Sequence, residues 1–350
     1  MDAVPLVAFT RGLVLESIHY GSVAVVDSRG EIIASVGDPD RLTTLRSSAK
    51  PLQAMAVVET GAIDRFSGTA AELAVIAGSH SGEPRHTETV AGMLARAGFS
   101  ADTLQTGTHP PFDQDTADTL ARQGLEPSPL HHNCSGNHTG MLWACAAREW
   151  DERTYVRPDH PLQRRIRSVI GVMSDWPEAE IPIGIDGCTA PTFSLPLLSL
   201  ALAYARIAAV DELTETHAEA ARRVREAMVE HPEMVGGEGR FDTDLMRAGS
   251  GRLLSKSGAE GCHALAVLGS GWGIGVKIED GAARAGPIVA LEVLRQLSVL
   301  EPAALASLAR HANPIVRNHR GEVVGEGHPL FALTPHGRWG SDLAPAGRQD

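Results

Sequence analysis

Lysine is almost missing from this chain. Of 31 basic residues only Lys50, Lys256 and Lys277 are lysines, which leaves 28 arginines. A position that keeps lysine against this bias is a candidate for what arginine cannot supply, an amine able to lose its proton or a compact ammonium. Other absences narrow the class. The formal net charge of −12 argues against a nucleic-acid or anionic-membrane partner, since both require a basic face. No apolar run approaches the ~18 residues of a membrane span. The opening MDAVPLVAFTRG lacks the charged and long apolar regions of a secretion signal, so a cytoplasmic protein is expected. The four cysteines, Cys134, Cys145, Cys188 and Cys262, show no C-x-x-C spacing. They are read as thiols, with Cys145 packed in the core.

What is present is an ordinary globular composition, 43% hydrophobic and 21% charged, in a chain long enough for two closely packed lobes. Residues 4–36 read as strands with a hairpin turn at Asp27-Ser28-Arg29-Gly30. A helix must begin between Ser47 and Ala49, because Pro51 fits only a first turn. Helices are expected at 69–78, 84–98 and 114–123, from NHTGMLWACAAREW, and at 212–229. Strands return in RLLSKSG, CHALAVLGSG and WGIGVKIEDG, followed by a helix at 286–299 and a strand at 321–325. This order predicts an α/β (α+β) fold, with a mainly antiparallel sheet from the N- and C-terminal segments, flanking helices and an inserted helical lobe. The sheet region is placed at about 1–60 and 250–330 and the helical region at about 61–249, within one domain of residues 1–335. The tail from about Pro335, including 336–350, is read as frayed.

Four stretches can carry chemistry. In RSSAK, Ser47 and Lys50 stand three apart and share a helix face. They are either a hydroxyl with its amine base or a helix-capping serine beside a solvated lysine. In LLSKSGAEG, Lys256 precedes a small hydroxyl residue and glycine, which resembles the Lys-Thr-Gly element of serine β-lactamases and penicillin-binding proteins. In AGSHSGEPRH, Ser79 offers a second hydroxyl for proton relay, or else caps the following helix with Ser81. HHNCSGNHTG gathers Cys134, Asn137 and His138, and GIDGCTAPT adds Asp186 and Cys188. Two thiolates with an imidazole could bind zinc, although the spacing alone favours packing or substrate contacts. GSGWGIG lacks the G-x-G-x-x-G spacing and leads into a strand, which excludes a dinucleotide loop. Lys277 reads as a solvated strand lysine.

Taken in order, ESIHYGSVAVVD, RSSAKPLQ, SHSGEPRH, HHNCSGNHTG, DHPLQ, GIDGCTAPTF, HPEMVGG, LLSKSGAEG and VKIEDG resemble the L-asparaginase II family, the Rhizobium etli-type L-asparaginases, over about residues 5–325. The resemblance implies a fold like that of serine β-lactamases and glutaminases. It also implies hydrolysis of L-asparagine to L-aspartate and ammonia by two Ser–Lys tandems, Ser47 with Lys50 and Ser79 with Lys256. Ser47 is the expected nucleophile, and Arg46, Asn137, His138 and Asp186 are expected around the substrate. The family further implies a zinc ion held by two cysteines, matched by Cys134 and Cys188, and by a lysine. At the lysine position this chain has Asn137, CSGNH in place of CSGKH, and an amide is a poor zinc ligand. Glutaminase or β-lactam-type acylase activity on the same scaffold is the second reading, and a non-catalytic amino-acid-binding protein the third. A homodimer is expected from base rates.

Overall fold

The computed structural model describes residues 3–337. Strands β1 (Val4–Arg11) and β2 (Val14–Val26) form an antiparallel hairpin, and β3 (Ile32–Val36) returns along the far half of β2. The short β4 (Leu42–Thr44) leads through a 3-10 turn, Arg46–Ala49, into α1 (Lys50–Glu59). The helical middle of the chain follows with α2 (Ala62–Arg65), α3 (Ala70–Ile76), α4 (Pro84–Arg96), α5 (Gln114–Gln123), α6 (Ser135–Arg148) and α7 (Pro161–Ser174). β5 (Ile183–Ile185) and β6 (Pro191–Pro196) pair with each other, and β6 also pairs with β4, in a small second sheet. Then come α8 (Leu197–Ala208), α9 (Glu215–Glu230), α10 (Pro232–Val235) and α11 (Phe241–Ala248). β7 (Leu253–Ser257), β8 (Cys262–Val267), β9 (Trp272–Ile278), α12 (Ala285–Gln296), β10 (Ile315–Arg317), β11 (Val323–Pro329) and β12 (Thr334–Pro335) complete the principal elements.

The main sheet runs β10-β11-β1-β2-β9-β8-β7, with every pairing antiparallel. N- and C-terminal segments therefore build it together, in the order the sequence predicts. Alternation splits its side chains between two cores. Ala24, Val26, Ala264 and Ala266 join the core formed with the middle helices. Val23, Val25, Leu265, Ile274 and Val276 pack on the opposite side with Ile288, Val289 and Val293 of α12. A strand covered on both faces has no polar side to show, so VAVV in β2 is an unbroken apolar run.

The face toward the middle helices is lined with small residues because α8 lies almost on the strands. A Cβ added to Gly273 would sit 1.8 Å from the carbonyl oxygen of Ala201, and one on Gly275 2.9 Å from that of Leu197. Gly273 and Gly275 of GSGWGIG thus seat a helix. Lys277, at the end of that strand, is only 9% exposed, and its ammonium donates to the carbonyls of Glu260 and Ile278. The expected solvated lysine is a buried cross-brace instead.

Two further differences bear on the site. GIDGCTAPT is the β5–β6 hairpin rather than a free loop, which fixes Asp186 and Cys188 at its turn. The expected fraying from Pro335 does not begin there. Pro335 pairs with Ala34, and His336 Nε2 lies 2.8 Å from Ser35 Oγ. The remainder of that expected segment, 338–350, lies outside the described residues. Among the described residues no helix is long and apolar enough to cross a membrane.

Gly273→Ala is expected to destabilise the fold by about 3 kcal/mol, the upper end for overpacking, because the clash is with backbone rather than with a movable side chain. Gly92→Ala, with open space around it, serves as the control and should hold or raise stability. Denaturant unfolding of the two variants checks both.

Candidate active site

Arg46 takes a φ of +49°, a left-handed conformation uncommon outside glycine, where the chain turns from β4 toward α1. The two serines that follow are then sorted by direction. Ser48 faces inward, where its hydroxyl donates to Leu45 O at 2.6 Å and its carbonyl accepts from Tyr204 at 2.7 Å. Ser47 is partly exposed at the cleft, and its hydroxyl makes no hydrogen bond among the described residues. One turn further on, Lys50 is 3% exposed and donates to Gly78 O at 2.8 Å, Ser79 Oγ at 2.9 Å and Cys134 Sγ at 3.1 Å. A Cβ on Gly78 would lie 2.7 Å from Val235 O, and Ser79 N donates to the same carbonyl at 2.8 Å. Close backbone approach to α10 thus places Ser79 on Lys50.

The second lysine arrives differently from the expected tandem. Lys256 Nζ donates to Ser257 O at 2.6 Å and stands 3.8 Å from Asp242, while Ser79 is taken by Lys50. Asp242 was not among the expected site residues. It lies in the first turn of α11, where an acid reads simply as a complement to the helix dipole. Its carboxylate accepts from Ser255 Oγ at 2.6 Å, Ser257 N at 3.0 Å, Ser257 Oγ at 2.6 Å and His263 Nε2 at 3.1 Å. Burial opposes its charge, but His263, Lys256 and Ser255 outweigh burial and hold the carboxyl well below the usual range. Burial brings Lys256 down to about 8, with Asp242 pulling upward and the charges of Lys50 and Arg240 pushing further down. Asp242 therefore both splints the Ser-Lys-Ser strand and limits how readily Lys256 loses its proton.

On the other side of Ser47, Arg46 is bound by Asp186 through two bonds of 2.8 and 3.2 Å. Asn137, 2% exposed, donates to Ile76 O at 3.0 Å. His138 Nδ1 lies 2.7 Å from Tyr155 Oη, which also accepts from Gln105 N, while Nε2 is buried without a partner. Burial pushes this imidazole to about 3, so it is neutral. A hydrogen bond from Cys188, reinforced against burial by the Lys50 charge and His132, holds the Cys134 thiol well below its ordinary range, and the bond with Cys134 together with burial raises Cys188. Cys145 is a free thiol buried in the core, and Cys262, also a buried free thiol, lies 3.4 Å from Ser48 Oγ.

These donors do not fit the two-cysteine, one-lysine zinc set. The two sulfurs are neighbours, but Asn137 is tied to a backbone carbonyl. Among the described residues no three His, Cys, Asp or Glu side chains are grouped as a metal site requires. An amine does approach Cys134, but it is Lys50, the partner of Ser79.

Ser47 and Ser79 line one cavity of about 380 Å³ with Asn133, Arg240, Asp242 and Ser257. Ser47 also borders a much tighter recess with Arg46, Lys50, Asn137, Asp186 and Cys188. A larger surface groove of about 760 Å³, edged by Glu83, Arg85 and Asp113, contains neither serine.

An antiparallel sheet backed by helices, with a buried amine bonded to one serine and one helical turn from a second, defines a candidate hydrolase. The sequence model of L-asparaginase II matches residues 7–329, so the chain belongs to the L-asparaginase II family and with it to the amidohydrolases. No curated protein sequence gives a significant match. Among solved structures, Mglu in its native form is 17% identical with a TM-score of 0.41, over 79% of this chain and 63% of that one. The chain thus spans less than two thirds of Mglu. A β-lactamase (Mb2281c) from Mycobacterium bovis is 15% identical with a TM-score of 0.42, over 83% of this chain and 95% of that one. The family assignment rests on the sequence match rather than on these partial overlaps.

Asp242→Asn should lower turnover and move any alkaline activity limb set by Lys256 to lower pH, since the carboxylate that favours the ammonium is gone. A kcat/KM profile against pH reads this, and a purely structural loss would lower the profile without shifting it. Asn137→Lys should raise the zinc retained per chain after dialysis, measured by elemental analysis.

Proposed function

We propose that the protein hydrolyses the side-chain amide of L-asparagine to L-aspartate and ammonia through a covalent serine intermediate. The observation that carries this reading is Lys50, one buried amine a turn from the unbonded Ser47 hydroxyl and 2.9 Å from Ser79. Family membership supports amide hydrolysis independently.

In this reading Ser47 Oγ bonds to the amide carbon as neutral Lys50 accepts its proton. The proton passes through the Ser79 hydroxyl to the amide nitrogen, the carbon–nitrogen bond breaks, and ammonia leaves. The acyl group remains on Ser47 as an ester. Water then attacks the ester carbon, giving a proton to Lys50, and Ser47 departs reprotonated with L-aspartate released. Lys256 and Asp242 set the charge beside the cavity. No step is assigned to zinc. Ser47 is preferred to Ser79 as nucleophile because it is the freer hydroxyl and borders both the cavity and the recess. Ser79 is already engaged as acceptor from Lys50 and so suits the relay.

In this reading Lys256 acts in its neutral form, so kcat/KM is expected to rise through about pH 8 as its proton is lost. The sign follows from burial favouring the neutral amine below its ordinary value of 10.5. An ammonia-release assay with asparagine and glutamine should show asparagine turnover in the wild type. Ser47→Ala should reduce it roughly a thousandfold or more, while Ser79→Ala leaves a slower but measurable acylation. Near-normal turnover in Ser47→Ala with loss in Ser79→Ala would exchange the two roles, and a wild type silent on both amides would sink the hydrolase reading.

A further inference from the structure

The cavity that holds both serines also holds a cation without an anion. Arg240 lines it, half-buried, with its guanidinium 5.3 Å above the ring of Phe112, another lining residue. Among the described residues this guanidinium makes no hydrogen bond and no ion pair. That is not for want of nearby acids, because the local sequence is Glu238-Gly-Arg-Phe-Asp-Thr-Asp244. Each of those acids is committed elsewhere. Glu238 holds Arg247 at 2.6 and 2.8 Å and Arg85 at 3.3 Å. Asp242 is turned inward onto Ser255, Ser257 and His263, and Asp244 is held by Arg310 and by His311. Arg46, the other arginine near Ser47, is already doubly bonded to Asp186 and has Glu260 at 3.8 Å.

The geometry points to Arg240 as the receptor for a carboxylate carried by the substrate, and so as the residue that restricts this cavity to amides bearing a free carboxylate group. A guanidinium presents a planar fork that a carboxylate fills with two parallel hydrogen bonds. The Phe112 ring restrains the fork from below by cation–π contact, so little side-chain freedom is lost on binding. Asp242, Cys262 and His263 are the other titratable groups lining the cavity, and Asp242 is occupied by His263 and by the buried Lys256 at 3.8 Å. The rest of the wall carries only amide and hydroxyl donors, Asn133, Ser47, Ser79 and Ser257, beside apolar Phe241 and Pro287, and no second guanidinium fork. A volume of about 380 Å³ leaves room for chains longer than asparagine, so the carboxylate rather than a tight fit supplies the selection. This inference rests on the proposed amide hydrolysis only for the identity of the reacting group. Carboxylate binding can be measured without turnover.

The test is calorimetric titration of L-aspartate and of succinate into wild type, Arg240→Gln, Arg240→Lys and Phe112→Ala, with asparagine kinetics on the same four proteins. Wild type should bind both acids. Arg240→Gln should weaken them roughly tenfold to a hundredfold, Arg240→Lys less, and Phe112→Ala least. For asparagine the loss should fall on KM with kcat largely kept, and thermal melts should show all four folded. Equal affinity of wild type and Arg240→Gln for the two acids, or no binding by wild type, would overturn the assignment. A wild type that binds the acids through Arg240 but releases no ammonia would uphold the receptor while removing the hydrolase reading.

Discussion

A buried amine leaves polar N–H groups that the protein must satisfy or the fold bears a few kcal/mol for it, and Lys50 meets that demand by joining three separate segments. It leaves the first turn of α1, reaches the loop at Gly78 and Ser79, and touches Cys134 ahead of α6. Two of those segments are also tied nearby, His80 to Ser135 at 2.9 Å and Asn137 to Ile76 O at 3.0 Å, and Lys50 adds α1 to that network. The same three bonds therefore serve as a structural clamp and as the arrangement of reacting groups. Geometry of this kind does not have to be assembled when a ligand arrives.

The sheet provides the complementary constraint. Its small residues let α8 press onto β9, and Tyr204 of that helix bonds to the Ser48 carbonyl. The turn that presents Ser47 is thus gripped from inside by Ser48 while Arg46 takes the strained backbone angle. On the far side Asp242 fastens β7 through Ser257 and holds Lys256 at 3.8 Å, while Lys50 borders the tighter recess from the helices. Two amines of like charge are brought near each other, and that proximity contributes to lowering Lys256.

Much of this was legible in the sequence, for identifiable reasons. RSSAK and SKSG stood out because lysine is so scarce, and the strand–helix–strand order followed from the apolar runs in VAVVD and CHALAV and from the alternation in WGIGVK. What stayed hidden depends on facts that patterns do not carry. LLSLALAYARIA is apolar all round, so α8 lacks the polar face that marks a helix at a surface. β4 and β5, three residues each, are too short to register, and β6 is bracketed by Pro191 and Pro196, which read as strand breakers. Lys277 looked solvated because nothing in VKIEDG announces the carbonyls it braces. Asp242 and Arg240 acquire meaning only from which neighbours are already engaged, and those neighbours lie far along the chain. The bond from Lys50 to Ser79, in place of one from Lys256, likewise reflects how closely Gly78 passes α10.

All three lysines are buried, at 3%, 1% and 9% exposure. The folded protein therefore offers amine-directed electrophiles no lysine on its surface, although its outside is rich in guanidinium groups. Acylating labels, lysine crosslinkers and enzymatic lysine tagging would find a purchase here chiefly as the fold opens. Reactivity of its lysine side chains becomes a gauge of unfolding rather than a map of the surface.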